Sequence, residues 1–250
     1  MSDAVLTETR DRVLLITLNR PDAMNAINTD VAQGLLAAFA QLDGDDAITA
    51  GVLTGAGRGF CSGMDLKAFA SSGPPQGLAQ VFEQGARKPL IAAIEGFALA
   101  GGLELALSCD LLVAAENVKF GIPEAGVGLF AGGGALLRLP SRVGYMRAME
   151  MALTADPITA QEALDCGLIS RLTAKGEAID AGLALAERIA RNAPLSVAAS
   201  KQIIKGTHGM TEPDAWAYQL PLIRSVFTSE DAKEGPRAFA EKRPPVWSGR

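Results

Sequence analysis

The first half of the chain alternates short apolar runs with segments of helical periodicity. Val13–Leu18 is a mainly apolar run that stops before Pro21, so it predicts a buried strand followed by a turn. Asn28 stands where it can cap a helix that runs to about Leu42. Similar runs predict strands at residues 49–54, 89–94 and 110–115 and a buried helix at residues 99–108. This order predicts an α/β core in which strands stack in layers.

The second half has helical periodicity almost throughout. Helices are predicted at residues 142–154, 159–165, 179–192, 194–204, 212–227 and 229–242. The last of these helices are apolar on more than one face. Such helices pack against the rest of the chain or against another subunit.

Composition and charge exclude several classes of function. The chain has 250 residues with 48% hydrophobic and 20% charged residues, which is ordinary globular composition. Its net charge of −5 gives no basis for a nucleic-acid partner. The most apolar stretch, residues 90–112, contains Glu95, Glu104 and Asp110, so we expect buried core there and no membrane contact. The N-terminal residues lack the pattern of a signal peptide, which favours a cytoplasmic protein.

The cysteines and the single histidine argue against metal and nucleophilic chemistry. Cys61, Cys109 and Cys166 form no CxxC pair, so we expect reduced thiols of a cytosolic protein and no metal site. His208 is the only histidine, and no GxSxG motif accompanies it. An exposed loop histidine is therefore expected at position 208.

Residues 53–67 form a glycine-rich segment with glycines at positions 55, 57, 59 and 63. The spacing is not that of a dinucleotide-binding loop. Cys61 has no histidine nearby in sequence to activate it as a nucleophile. A ligand could approach such a backbone closely, and a plain structural loop remains the alternative.

A second glycine-rich segment opens an apolar helix. Gly101 and Gly102 lie at its start, where unpaired N–H groups and the helix dipole can hold an anion or a polarised carbonyl oxygen. Glu104 follows among leucines, where a carboxylate is costly unless it is paired or used. A buried Glu–Arg structural pair is an equal alternative at this point.

A third segment places Glu124 after Pro123 and before a run of glycines. The simple alternative is a turn or helix N-terminal residue. However, Glu104 and Glu124 are two carboxylates in apolar settings, and neighbouring carboxylates cannot both ionise cheaply. Addition of water to a double bond needs such a pair, because one group accepts a proton from water and the other delivers a proton to carbon.

Four segments together resemble the crotonase, or enoyl-CoA hydratase/isomerase, family: residues 18–26, 59–66, 96–104 and 120–124. The resemblance covers essentially the whole chain in family order. It implies an α/β, crotonase-like spiral of β-β-α units with a C-terminal helical oligomerisation region. By this resemblance residues 1–193 form the core with the acyl-CoA site, residues 194–250 form the trimerisation region, and the protein is a homotrimer or a dimer of trimers.

The resemblance also implies roles for particular residues. The backbone N–H groups of Met64 and Gly101 would form an oxyanion hole for the thioester carbonyl. Glu104 would activate water, Glu124 would exchange the proton at Cα, and Gly132 would help to hold the water. The remaining implied substrate-binding residues are Ala23, Met24, Asp65, Leu66 and Lys67. No separate cofactor is expected, because coenzyme A is part of the substrate.

The chain departs from the family pattern at three positions. Ala100 stands where glycine is common and is expected only to stiffen the turn. Asp22 replaces a frequent basic residue, which puts more weight on Lys67 for the CoA phosphates, and Ala131 stands where hydratases commonly have proline. The C-terminal residues are similar to those of carnitinyl-CoA dehydratase-like members and of some steroid-degrading hydratases.

The expected reaction is reversible syn-addition of water to a trans-2-enoyl-CoA. Retention of glutamate at both positions favours it, since isomerases of the family usually keep one carboxylate. Double-bond isomerisation, dehydration of a specialised acyl-CoA, and non-catalytic acyl-CoA binding are the alternatives.

Overall fold

The computed structural model describes residues 3–250, which contain nine strands and eleven helices. The strands are β1 Val5–Arg10, β2 Val13–Leu18, β3 Ala50–Gly55, β4 Leu90–Ile94, β5 Phe97–Leu99, β6 Leu111–Ala115, β7 Lys119–Gly121, β8 Ile158–Thr159 and β9 Arg171–Thr173. The first helices are α1 Thr29–Gly44, α2 Leu66–Ser72, α3 Leu78–Gln84, α4 Gly101–Ser108, α5 Ala135–Val143 and α6 Tyr145–Thr154. They are followed by α7 Ala160–Asp165, α8 Ala178–Ala190, α9 Pro194–Gly206, α10 Glu212–Phe227 and α11 Glu230–Ala240. Short 3₁₀ helices occur at Pro21–Ala23 and Pro123–Val127.

Two sheets form the layers of the core. The larger has the order β1-β2-β3-β4-β6-β9, with an antiparallel β1–β2 hairpin and parallel pairing from β2 onward. The smaller has the order β5-β7-β8. Along the chain β4 and β6 enter the large sheet, whereas β5 and β7, which follow them directly, enter the small one. This alternation agrees with the predicted layered β-β-α arrangement.

Alternate side chains of the large sheet pack into two apolar cores. Leu14, Ile16 and Leu53 belong to the main core, which also contains the buried faces of α1 and α4. Residues of opposite parity on the strands, such as Val52, pack with α8. Gly182 lets α8 approach closely, because an added Cβ would lie 3.1 Å from Ala93 Cβ.

Most predicted elements are confirmed, with two corrections. The Asn28 side chain caps α1 by accepting a 3.0 Å hydrogen bond from Val31 N–H, as predicted. The helix predicted at residues 99–108 begins only at Gly101, because Phe97–Leu99 pairs with β7. The helix predicted at residues 142–154 begins only at Tyr145, because Gly144, with a φ of +79°, separates it from α5, for which no bounds were predicted.

Helices α9 and α10 pack on each other, and the last residues hold α11 to the core. Trp247 Nε1 donates to the carbonyl oxygen of Arg191 at 2.8 Å, and Arg243 pairs with Glu234. The boundary at residue 193 stays a prediction. Within residues 3–250 no helix is both long and apolar enough to cross a membrane.

Candidate active site

A largely apolar cavity of about 440 Å³ lies between the start of α4, the helices α2 and α3, and the loop after β7. Six of the residues singled out from the sequence line it: Met64, Leu66, Gly101, Glu104, Glu124 and Gly132. A larger cleft of about 830 Å³ lies beneath α9, away from these residues. One of the cations that line it, Lys201, is already paired with Asp110 at 2.6 Å. The smaller cavity is therefore the candidate active site.

Two backbone N–H groups meet at the cavity. Ile27 bridges to Met64 as in a parallel strand pair: Ile27 N–H donates to Gly63 O, and Asp65 N–H donates to Ile27 O. Met64 N–H therefore points away from this bridge. Gly101 is the first residue of α4, where an N–H has no intrahelical acceptor. In the described chain neither N–H has a hydrogen-bond partner, and a Cβ on Gly101 would lie 3.4 Å from Met64 N.

The turn before α4 is strained at Ala100. Its φ of +51° and ψ of −130° are angles that favour glycine. Ala100 N–H donates to Gly121 O at 2.9 Å, which fixes the turn to β7. Gly63 has to remain glycine here, because a Cβ would lie 2.7 Å from Ala100 Cβ. The structure thus adds backbone strain to the stiffening expected from alanine at this position.

A buried asparagine holds the glycine-rich segment in place. Asn25 Nδ2 donates to Ala56 O and to Gly59 O, both at 2.9 Å, and Asn25 Oδ1 accepts from Arg20 N–H. Arg20 also forms a 3.0 Å ion pair with Asp65. No role of their own was predicted for Asn25 and Arg20 from the sequence. The available signal was a polar residue inside a matched motif.

Of the three carboxylates in the apolar stretch, only Glu104 lines the cavity. Glu95 accepts from the N–H groups of Gly176 and Ala178 at the start of α8, and Asp110 pairs with Lys201. Glu104 lies on α4 and is 4% exposed. Its position in the first turn of the helix places the carboxylate on the cavity side.

The Glu104 carboxylate is held by the first turn of α5. Its Oε1 accepts a hydrogen bond from Ala135 N–H at 3.2 Å. Burial raises the pKa of Glu104, while the N–H groups of Ala135 and Gly133 and the positive charge of Arg138 oppose that rise. None of the ion pairs in the described chain includes Glu104, so the alternative of a Glu–Arg structural pair is wrong.

Glu124 lies in the 3₁₀ helix that follows β7. Its Oε2 atom is buried without a hydrogen-bond partner. Burial raises the pKa of Glu124, the nearby Glu104 carboxylate raises it further, and only its own backbone N–H lowers it. Two carboxylates therefore share one cavity, and Glu124 has the fewer groups that stabilise its ionised form.

Four other residues singled out from the sequence do not line the cavity: Ala23, Met24, Asp65 and Lys67. The Asp65 carboxylate is engaged elsewhere, because it caps α2 through Ala68 N–H and pairs with Arg20. Met24 and Lys67 are exposed. Their predicted contacts with substrate would lie outside the cavity.

Large apolar side chains form the walls of the cavity. Phe69, Leu78 and Phe82 come from α2 and α3, the stretch expected to shape the acyl pocket. Leu129 and Phe130 come from the loop before α5. With only a few polar groups among apolar walls, the cavity suits a ligand with an apolar body and one polar reacting end.

The remaining candidates take no part in this cavity. Cys61 is fully buried and burial raises its pKa to about 12, so it stays a neutral thiol. His208 is exposed in the turn after α9, as predicted. Among residues 3–250 no three His, Cys, Asp or Glu side chains are grouped to hold a metal ion.

Comparisons with known proteins agree on one family. The family model described as enoyl-CoA hydratase/isomerase matches residues 8–250. The enoyl-CoA hydratase EchA19 of Mycobacterium tuberculosis is 42% identical over 98% of this chain and 96% of its own length. A carnitinyl-CoA dehydratase of Proteus mirabilis is 39% identical over 100% of both chains. A crystal structure of an enoyl-CoA hydratase from M. tuberculosis H37Rv superposes with a TM-score of 0.95 at 51% identity and covers 100% of both chains. The predicted crotonase-like α/β fold is confirmed.

Proposed function

The chain belongs to the enoyl-CoA hydratase/isomerase family of enzymes, and from that premise we propose that it adds water reversibly to a trans-2-enoyl-CoA, giving a 3-hydroxyacyl-CoA. The observation that carries the proposal is the presence of both Glu104 and Glu124 in one apolar cavity beside two unpartnered N–H groups. Hydration needs two proton transfers, one at oxygen and one at carbon, and two carboxylates supply both.

The N–H groups of Met64 and Gly101 receive the thioester oxygen. Negative charge develops on this oxygen as water attacks Cβ, and both donors are in place before the reaction begins. Their position at the N-terminus of α4 adds the positive end of the helix dipole. Loss of one such donor typically costs about 3–4 kcal/mol of transition-state stabilisation.

The two glutamates divide the proton transfers. Ionised Glu104 takes a proton from the attacking water, whose oxygen bonds to Cβ, and Gly132 helps to hold that water. Protonated Glu124 delivers its proton to Cα as the enolate collapses. The environments support this division, since backbone N–H groups and Arg138 stabilise the charge on Glu104 but Glu124 Oε2 is buried without a partner.

The acyl group lies against Phe69, Leu78 and Phe82, and the CoA moiety extends from the mouth. Ala23, Met24, Asp65, Leu66 and Lys67 are proposed contacts there, those of Asp65 being through its backbone. No further cofactor takes part, because coenzyme A enters with the substrate. We place the enzyme in the cytoplasm, consistent with its three unpaired cysteines.

A homotrimer, alone or doubled to a hexamer, is the proposed assembly. Large apolar side chains are exposed on α5 and α6 and on α10, for example Leu137, Met146 and Trp216 at 81%, 78% and 60%. Faces of this kind are covered in assemblies. Light scattering coupled to size exclusion measures the mass directly, and a monomer at all concentrations contradicts the proposal.

Dehydration of a specialised acyl-CoA is the second candidate. The full-length similarity to carnitinyl-CoA dehydratase favours it, and it uses the same groups in the reverse direction. Isomerisation differs, because it moves a double bond without adding water.

The test is turnover of a panel of enoyl-CoAs and 3-hydroxyacyl-CoAs, from crotonyl-CoA upward, followed by loss of enoyl absorbance and by product identification in deuterated water. We expect a 3-hydroxyacyl-CoA with one solvent deuterium at Cα. An enoyl product with a shifted double bond indicates an isomerase. Tight binding without conversion of any member by folded protein indicates a non-catalytic binder.

A further inference from the structure

Arg138 lies on α5, close enough to the Glu104 carboxylate for the two charges to interact. One of its nitrogens, Nη2, donates to the carbonyl oxygen of Phe82 at the end of the acyl-pocket helix α3. The other, Nη1, is buried and has no hydrogen-bond partner. A partly buried guanidinium with a buried, unpartnered nitrogen is costly unless its charge serves a neighbour.

We propose that Arg138 is a positioning residue that keeps Glu104 ionised while Glu124 holds its proton, and that fixes the cavity wall at Phe82. This proposal rests on the hydratase function argued above. Arg138 would thus be the reason why Glu104 and Glu124, two otherwise similar carboxylates, differ in protonation.

The charged groups of Glu104 and Arg138 lie against the same short stretch of backbone. Ala135 N–H donates to Glu104 Oε1 at 3.2 Å, and a Cβ on Gly133 would lie 2.5 Å from Glu104 Oε2. A Cβ on Gly134 would lie 2.8 Å from Arg138 Nη1. Residues 133–135 therefore separate the carboxylate from the guanidinium. The two charges attract each other without forming an ion pair.

The charges around this pair support the assignment. Glu104 faces Arg138 as its cation and Glu124 as its acidic neighbour. Arg138 also faces the repelling charges of Arg142 and Lys205, whereas the Cys109 thiol beside it is neutral, since burial raises its pKa to about 12. The Arg138 charge opposes the rise that burial causes in the pKa of Glu104, and no cation does the same for Glu124.

Arg142 provides a matched control on the same helix. It is also a partly buried arginine, and its Nη2 donates to the carbonyl oxygens of Leu107 and Cys109 at the far end of α4. It makes no contact with the Glu104 carboxylate. Arg142→Met removes a partly buried cation and two hydrogen bonds to α4, so it reproduces the structural cost of losing an arginine from α5.

The experiment compares pH profiles of kcat/KM for wild type, Arg138→Met, Arg138→Lys and Arg142→Met. Activity is lost at low pH when Glu104 takes up a proton. Removal of the Arg138 charge is expected to move this acidic limb about one pH unit upward. Arg138→Lys keeps the charge and should keep the limb, although its KM rises because the bond to Phe82 is lost. Arg142→Met should leave the limb in place.

An acidic limb that stays at the wild-type pH in folded Arg138→Met overturns the inference, as does an equal shift in Arg142→Met. A second measurement does not depend on turnover. NMR titration of ¹³C-labelled glutamate carboxyls, assigned through Glu104→Gln and Glu124→Gln, should show Glu104 ionising at lower pH than Glu124 in wild type and at a higher pH in Arg138→Met than in wild type. The reverse order in wild type, or an unchanged Glu104 titration in folded Arg138→Met, overturns the inference. If wild type converts no enoyl-CoA, the hydratase proposal fails, and the comparison of Glu104 titration in wild type and Arg138→Met still decides the role of Arg138.

Discussion

Gly133 lies where the Glu104 carboxylate meets the acyl-pocket wall, and Gly133→Ala is therefore a direct probe of the site. A Cβ at this position would lie 2.5 Å from Glu104 Oε2 and 2.4 Å from Phe82 Cδ2. The φ of Gly133 is not positive, so backbone strain plays no part. The substitution acts only by pushing the carboxylate and the phenyl ring apart.

The size of the effect follows from these distances. Ordinary van der Waals contact with a Cβ begins at 3.4 Å, so Glu104 or the backbone has to move by nearly 1 Å. A displacement of about 1 Å of a catalytic group can cost roughly 100-fold in rate. Overpacking of this kind also costs about 1–3 kcal/mol of folding free energy, which lowers Tm by roughly 3–10 °C.

The assay is kcat for hydration of the best enoyl-CoA substrate, together with a thermal melt. Gly126→Ala is the matched control, because Gly126 lies in the same glycine-rich segment and an added Cβ there meets nothing within 4 Å. We expect a 10- to 100-fold loss of kcat in Gly133→Ala and near-wild-type behaviour in the control. A Gly133→Ala enzyme within about twofold of wild type would show that the Glu104 carboxylate does not act from this position.

Three further predictions concern the same cavity. Burial raises the pKa of Glu124 above its ordinary value of 4.5, so ionisation of this group destabilises the folded state at higher pH. Glu124→Gln should therefore have a higher Tm than wild type at pH 8, and the difference should disappear below pH 4.5. A lower Tm than wild type at pH 8 contradicts this prediction. A plot of wild-type kcat/KM against pH should be bell-shaped, because activity is lost at low pH when Glu104 is protonated and at high pH when Glu124 ionises. Both limbs should lie above pH 4.5, since the pKa of each group is raised. A profile still at its maximum at pH 4.5 contradicts this prediction. Ala100→Gly should raise Tm, because relief of about 1–3 kcal/mol of strain exceeds the roughly 0.5–1 kcal/mol entropic cost of glycine; a fall in Tm shows that the turn is not strained.

The fold was predictable where local pattern and final environment agree. Val13–Leu18 is mainly apolar because it lies inside the large sheet, and α1 follows Asn28, whose side chain caps it. Val5–Arg10 was missed because it is an edge strand whose residues are mostly exposed, so its sequence lacks a buried pattern. The three-residue strands β5 and β7 are defined by their pairing with each other, which no local pattern contains.

The residues of the site could be predicted from the sequence, but the contacts between them could not. Glu104 stood out as a carboxylate among leucines, and the resemblance named Met64 and Gly101 as partners. Nothing local indicated that Arg138 lies behind Glu104, since 34 positions of chain separate them. The strain at Ala100 was equally invisible, because it depends on the φ angle that the turn imposes.

The central claim is that Glu104 and Glu124 act together in one hydration reaction, and a double-variant comparison tests it most directly. Turnover of the best enoyl-CoA is measured for wild type, Glu104→Gln, Glu124→Gln and the double variant, with each protein shown to be folded. We predict a loss of kcat by roughly 10²–10⁴ in each single variant. The double variant should be little slower than the worse of the two, because residues that act as a unit are not additive. Near-wild-type turnover in either single variant would contradict the account.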